Sequence, residues 1–129
     1  MSHFSTIKTQ LRDREALLGA LSDLGQSPAP AGPIRGYQGQ TVTAELTLPQ
    51  SQGTDIGFRF NSESGTYEIV ADLDLWRLQV PVERFLAQLT QRYALRTILA
   101  ASAEEGFQVN EQIQQQDGSI ELVVSRWEA

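Results

Sequence analysis

The feature that most constrains the fold is a pair of alternating segments in the middle of the chain. Apolar residues recur at every second position from Asp55 to Phe60 and again from Tyr67 to Asp72. A short polar loop that contains Gly65 separates the two segments. A period of two indicates strands, and a glycine-containing loop between them is typical of a β-hairpin. We therefore predict that this hairpin lies at the centre of the fold.

Two further segments have the periodicity of α-helices. The first follows Asp13, a residue type preferred at the N-cap, and stops before Gly25, which suits the position after the C-cap. The second follows Pro81 and covers residues 82–105. Its apolar stripe changes direction near Tyr93, so the segment is either two helices that meet there or one long helix covered on both sides. We expect a break or a bend.

The remaining strands are predicted from alternation and turn signals. Residues 4–9 and 42–48 have strand patterns, and Asp117-Gly118 is a turn between two more strands near the C-terminus. Three prolines make residues 26–35 an extended loop, because proline is excluded from helix interiors and central strands. The predicted order is β-α-β-β-β-α(α)-β-β.

This order defines an α+β fold. Consecutive hairpins give a mainly antiparallel sheet, and a helix with one apolar stripe must bury it against a sheet face. We predict a single domain over residues 1–129, a two-layer sandwich with the helices on one face and the other face open to solvent or used for contact. The residues expected to be buried together are Leu18, Leu21, Ile56, Phe58, Ile69, Phe85, Leu86, Leu89 and Leu122.

Composition excludes several classes of site and partner. The chain has no cysteine, which rules out disulfides, zinc–thiolate centres and cysteine nucleophiles. Its net charge of −6 argues against nucleic acid as a partner. The sequence shows neither a signal peptide nor an apolar run of about 20 residues, so we expect a cytoplasmic protein without a membrane span.

Several short motifs, spread in order along nearly the whole chain, are similar to those of one family. They are Met1-Ser2-His3-Phe4-Ser5, Gly36-Tyr37-Gln38-Gly39-Gln40, Asp55-Ile56-Gly57-Phe58, the 67–72 strand with Trp76, Gln91-Arg92-Tyr93-Ala94 and Arg126-Trp127. In these motifs the chain resembles the uncharacterised family called hypothetical chloroplast reading frame thirty-five, which occurs in cyanobacteria and algal plastids. The resemblance implies a cytoplasmic location, or the plastid stroma in algal relatives. It relates the chain to photosynthesis by the family's distribution only, and it supplies no catalytic residue.

The titratable residues form no recognisable catalytic or metal-binding pattern. His3 is the single histidine, and one histidine without cysteine does not build a zinc site. Asp72 and Asp74 would share a strand face and could hold Mg²⁺ beside a phosphate, but no glycine-rich phosphate loop accompanies them. We interpret both as solvated carboxylates and expect no catalytic residue, no cofactor and no high-affinity metal site.

A repeat of four residues on the second helix is the candidate interaction site. It consists of Arg84, Gln88, Arg92 and Arg96. No acidic residue lies between Arg84 and Ala103, so we expect these guanidinium groups to be exposed without carboxylate partners. A patch of this kind selects acidic surfaces, and the expected partner is an acidic protein. The alternative is an ordinary solvated helix face.

The leading functional hypothesis is a non-catalytic interaction or assembly protein. A second hypothesis is a small-ligand binder or an enzyme, with a pocket that combines Asp72, Asp74 and the arginines. A third is RNA binding through Arg84, Arg92 and Arg96, which the acidic residues on the strands disfavour. The sequence identifies neither the partner nor the oligomeric state.

Overall fold

The computed structural model describes residues 4–35, 41–50, 55–117 and 119–126, and His3 and Trp127 lie outside these ranges. The helices are α1 (Arg14–Asp23) and α2 (Val82–Glu104). The strands are β1 (Phe4–Lys8), β2 (Gly32–Arg35), β3 (Thr41–Ala44), β4 (Leu46–Leu48), β5 (Ile56–Asn61), β6 (Thr66–Asp72), β7 (Phe107–Gln114) and β8 (Ile120–Arg126). Helices combined with antiparallel strands confirm the predicted α+β class. Neither described helix is long and apolar enough to cross a membrane.

The predicted central hairpin is formed by β5 and β6, in the middle of a four-stranded antiparallel sheet with the order β1-β6-β5-β4. Phe58 lies opposite Ile69 in this hairpin, and both side chains are fully buried. Asn61 stabilises the turn, because its side-chain oxygen accepts a hydrogen bond from Glu63 N at 2.9 Å. Gly65 adopts a left-handed φ of 71° in the same turn. The prediction of the hairpin and of its buried face is confirmed.

Both helices pack against one face of this sheet. α1 begins after Asp13, whose carboxylate accepts a hydrogen bond from Ala16 N at 2.8 Å, and Gly25 follows its end with a φ of 77°. Both ends of α1 therefore agree with the prediction. The core between helices and sheet contains Leu11, Leu17, Ala20, Leu21, Leu46, Leu48, Ile56, Phe58, Tyr67, Ile69, Ala71, Phe85 and Leu89. Leu18 and Leu86 pack against this core but are only partly buried.

α2 is one continuous helix of 23 residues, so the expected break near Tyr93 is wrong. Its apolar stripe changes direction for another reason. The N-terminal half buries Phe85 and Leu89 in the core, whereas Leu95 is buried in the half that leads to β7, a strand that packs against the helix. The structure thus adopts the alternative of one long helix covered on both sides.

The second face of the main sheet is partly covered by the chain itself. β2 and β3 pair in a separate two-stranded ribbon. From this ribbon Ile34 and Ala44 bury Val70 of β6, and Phe4 packs against them. This part of the second face is therefore neither open to solvent nor available to a partner.

The ribbon also corrects two predictions about local structure. The predicted loop at 26–35 includes strand β2, because both strands of a two-stranded ribbon are edges, where Pro33 is tolerated. The predicted strand at 42–48 is divided at Glu45. The backbone N–H of Glu45 donates to β5 and its carboxylate accepts from β5, which directs the chain from the ribbon into the main sheet.

The last two strands form a third sheet, the two-stranded hairpin β7–β8. Its register shifts between Val109 and Glu111, which marks a β-bulge in β7. Leu122 is half-buried on β8 and thus lies on this hairpin instead of in the main sheet. The strands expected in one sheet are divided among three, and the third is held mainly through α2.

Candidate functional site

A carboxylate neutralises part of the predicted patch on α2. Asp23, the last residue of α1, accepts hydrogen bonds from both Arg92 and Arg96. Arg92 Nη2 lies 3.2 Å and Arg96 Nε lies 3.0 Å from the same oxygen, Asp23 Oδ2. The expectation that the guanidinium groups lack carboxylate partners is therefore wrong for Arg92 and Arg96.

The cluster of Asp23, Arg92 and Arg96 nevertheless keeps a positive charge, because one carboxylate balances only one of two guanidinium groups. The Asp23 side chain is 14% exposed, against 30% for Arg92 and 43% for Arg96. The acidic group thus lies beneath the basic ones, and the two guanidinium groups are more exposed to solvent than the carboxylate.

The hydrogen bond from Arg96, together with the positive charges of both arginines, holds the pKa of Asp23 below its ordinary value of 3.8, against the opposing effect of partial burial. A carboxyl group with a lowered pKa in the folded state stabilises the fold above its unfolded pKa. That stabilisation is lost as the pH falls through the folded pKa.

We expect Asp23→Asn to lower the free energy of unfolding by about 1 kcal/mol near neutral pH, the upper range for pairs whose arginines remain this exposed. The difference from the unsubstituted chain should shrink as the pH falls from 3.8, where Asp23 becomes protonated in the unfolded chain, through the lower pKa that Asp23 has in the folded chain. Urea unfolding across this pH range measures it, with Glu63→Gln, an exposed turn residue, as control. A difference that stays constant at low pH would contradict the ion pair as its cause.

Two residues of α1 explain how the cluster forms, and sequence reasoning missed both. An acidic residue in the last turn of a helix interacts unfavourably with the helix dipole. Asp23 at the end of α1 therefore indicates that a basic side chain of another element lies beside it. Gly19 lies in the helix interior, where glycine is unfavourable. A Cβ atom at Gly19 would lie 3.0 Å from Arg96 Nε, and its absence lets the Arg96 side chain cross α1 toward Asp23.

Tyr93 attaches α2 to the other end of α1. Its hydroxyl oxygen accepts hydrogen bonds from Arg12 N at 3.0 Å and from Asp13 N at 2.8 Å. Two consecutive residues of α2, Arg92 and Tyr93, therefore hold the two ends of α1, and the position of the candidate face relative to the core is fixed.

Two clefts join into one groove between α2 and the β7–β8 hairpin. The cleft beside Arg84 has a volume of about 590 Å³, and the cleft beside Arg92 has about 340 Å³. Gln88, Gln91 and Gln114 line both clefts, which makes them continuous. We call this the α2–hairpin groove; its polar lining residues are Asp23, Arg84, Gln88, Gln91, Arg92, Gln114, Asp117 and Ser119.

Arg84 is the free cation of this groove. Its side chain is exposed, and among the residues that the structure describes none forms an ion pair with it. Asp117 lines the same cleft, but its Oδ1 accepts hydrogen bonds from Ser119 N at 2.9 Å and Ser119 Oγ at 2.6 Å. These bonds hold the pKa of Asp117 below its ordinary value, so the groove contains one negative charge near Arg84.

Asp72 and Asp74 do not line this groove. Asp72 is 2% exposed and its carboxylate accepts a hydrogen bond from Asp74 N at 3.1 Å, which caps the 3-10 turn Leu73–Leu75. The interpretation as a solvated carboxylate is therefore wrong for Asp72, whereas Asp74 is exposed. In the described ranges no three histidine, aspartate or glutamate side chains lie close enough to hold a metal ion. The expected lack of a catalytic residue and of a cofactor stays a prediction.

Comparison with known proteins identifies relatives of uncharacterised function. A family model described as "Protein of unknown function (DUF1257)" matches residues 20–123. The chain is 41% identical to "Uncharacterized protein ycf35" of Guillardia theta, 39% to that of Cyanophora paradoxa and 37% to that of Pyropia yezoensis, each over 98% of both chains. No solved structure matches it. The resemblance found in the motifs is confirmed: the chain belongs to the DUF1257 family, whose algal plastid members are named ycf35, for hypothetical chloroplast reading frame.

Proposed function

We propose that this chain is a non-catalytic interaction or assembly protein whose α2–hairpin groove binds an acidic segment of a partner protein. The observation that supports the proposal is the exposed guanidinium group of Arg84, which has no ion-pair partner among the described residues, in a chain of net charge −6. An acidic partner is attracted to this guanidinium group and repelled by the net negative charge of the chain, so the charges both favour the encounter and orient it. The proposed location is the cytoplasm, or the plastid stroma in algal relatives.

The spacing of the groove residues defines the segment further. Arg84 and Arg92 are separated by roughly 12 Å along the helix axis, and an extended peptide covers this distance in about three to four residues. Between them lie three glutamine amides, each of which both donates and accepts hydrogen bonds and thus complements peptide N–H and C=O groups. The proposed ligand is an extended segment with two carboxylates three or four positions apart.

We expect Arg84→Glu to weaken the binding of such a segment at least about tenfold, which corresponds to ~1.4 kcal/mol. Fluorescence anisotropy with a labelled peptide carrying two glutamates at this spacing measures the dissociation constant, and the same peptide with glutamines is the negative control. The matched protein control is Arg14→Glu, which makes the same charge change on an exposed arginine of α1 outside the groove. Thermal stability should stay unchanged in Arg84→Glu, because Arg84 has no ion-pair partner in the described structure.

Asp117→Asn provides a test of opposite sign. It removes the negative charge beside Arg84 and keeps the side-chain oxygen that Ser119 binds, so the acidic peptide should bind more tightly. Both effects should diminish as added salt screens the charges over a Debye length of about 8 Å. Equal weakening by Arg84→Glu and Arg14→Glu would mean that only net charge matters and that the groove is a solvated face.

No observation favours the two other hypotheses. The described structure brings neither Asp72 nor Asp74 into a common cleft with the arginines, so the proposed ligand or enzyme pocket lacks its polar groups. RNA binding would need aromatic side chains beside the arginines, and the groove is lined by glutamines instead.

A further inference from the structure

The outer strand of the C-terminal hairpin has apolar side chains exposed on both of its faces. Val123 is 38% and Val124 is 43% exposed, and successive residues of a strand point to opposite faces. β7 is the strand of the hairpin that packs against α2, and within the described part of the chain β8 pairs with β7 alone. A two-stranded hairpin is at best marginally stable in water, and an open apolar edge is a template for a further strand.

The two strands of this hairpin differ in how well they accept another strand. The bulge between Val109 and Glu111 interrupts the pairing of β7, and bulges bend a strand and protect its edge. β8 continues without interruption from Ile120 to Arg126. The unpaired edge of β8 is therefore the regular one.

We propose that β8 pairs with β8 of a second copy of this chain, antiparallel and centred on Val123, so that two hairpins form one four-stranded sheet in a two-fold symmetric dimer. A two-fold axis between antiparallel strands makes the central residue face its own copy. Val123 then lies opposite Val123 of the second copy, and Leu122 lies opposite Val124. Glu121 lies opposite Ser125, so apolar residues meet apolar ones and a carboxylate meets a hydroxyl.

Charge and geometry both favour a second copy as the occupant of this edge. Although the chain is acidic, β8 contains one acidic and one basic residue, Glu121 and Arg126. In the proposed register the two copies of Glu121 are four residues apart along the strand, roughly 13 Å, which exceeds a Debye length of about 8 Å. A partner lying on one face of the hairpin would leave a valine exposed on the other. A second β8 supplies apolar residues on both faces at once.

Sedimentation velocity on the full chain tests this proposal. We expect a dimer, and we expect Val123→Lys to raise the dimer dissociation constant at least about tenfold, because two lysines would face each other at the axis. The matched control is Ile98→Lys, since Ile98 is 49% exposed and belongs to α2 instead of β8, and this variant should dimerise like the unsubstituted chain. A chain that stays monomeric up to about 100 μM would overturn the proposal, as would equal effects of the two lysine variants.

Cysteine cross-linking tests the register independently of any loss of stability in Val123→Lys. The chain has no cysteine, so Val123→Cys introduces a single thiol. Directly opposite residues have Cβ atoms about 4.5–5.5 Å apart, close enough for diamide to oxidise the two thiols to a disulfide after a small adjustment. Val123→Cys should form the covalent dimer at least about tenfold faster than Glu121→Cys or Ile98→Cys, and equal rates in the three variants would overturn the register. The proposal concerns another surface than the α2–hairpin groove, and it stands or falls separately.

Discussion

Replacement of Phe58 with alanine is expected to lower the free energy of unfolding by about 3–5 kcal/mol. Phe58 is fully buried in β5, opposite Leu46 on β4 and Ile69 on β6. Strands on both sides hold the backbone here, and the helices close the space above the ring. Because the cavity left by the substitution cannot collapse easily, we expect a loss in the free energy of unfolding at the upper end of the range for large-to-small core substitutions. Urea denaturation followed by circular dichroism measures the loss.

Phe60→Ala is the matched control for this prediction. Phe60 lies two residues along the same strand and on the same face, but it is 39% exposed. Its main described contact is edge-to-face with Tyr67, with the ring centroids 5.2 Å apart, so its loss should cost only about 1 kcal/mol. If Phe58→Ala cost no more than Phe60→Ala, the proposed inward orientation of Phe58 would be wrong.

A single methyl group added at Gly57 is expected to destabilise the fold by about 1–3 kcal/mol, the range for overpacked cores. The added Cβ would lie 2.9 Å from Ala44 Cβ and 3.0 Å from Ile34 Cδ1. Both neighbours belong to the β2–β3 ribbon, so Gly57→Ala should push the ribbon away from the main sheet. Thermal and urea unfolding measure the effect.

Two further variants identify the cause of the loss at Gly57. Gly32→Ala adds the same methyl group where no atom lies within 4 Å, and the expected change is within about 0.5 kcal/mol. Ile34→Val removes the Cδ1 atom that the new methyl group would meet, so Gly57→Ala should cost less in this background than alone. A loss that Ile34→Val does not reduce would place the strain elsewhere than in the contact with Ile34 Cδ1.

The parts of the fold that the sequence predicts are those determined by neighbouring residues. The central hairpin follows from alternation and from a glycine with positive φ in the turn. The limits of α1 follow from Asp13 and Gly25, whose capping roles depend on the backbone within four residues. The family is also recognisable from short motifs, because they are compared directly and need no fold.

The errors concern contacts between residues far apart in the chain. The absence of acidic residues along α2 did not reveal that Asp23 is the partner of Arg92 and Arg96, because Asp23 lies on α1, about seventy residues earlier in the chain. The apolar stripe of α2 changes direction near Tyr93, and we interpreted this change as a break in the helix. The sequence does not show that the β7–β8 hairpin packs against α2 on another side than the core does. Of the candidate site, the sequence placed Arg84 and Gln88 on one polar face of α2 but did not predict a groove, because Gln114 and Asp117 come to this face only through the tertiary fold.

Sharing one carboxylate between two arginines gives the junction of the helices a redundancy against mutation. If Arg92 is replaced, Arg96 still reaches Asp23, and the reverse also holds. The losses caused by the two arginine replacements are therefore not additive, because the first leaves a remaining bond that the second removes. Replacing either arginine singly thus leaves Asp23 with one ion-pair partner, whereas replacing Asp23 releases both arginines in a single step.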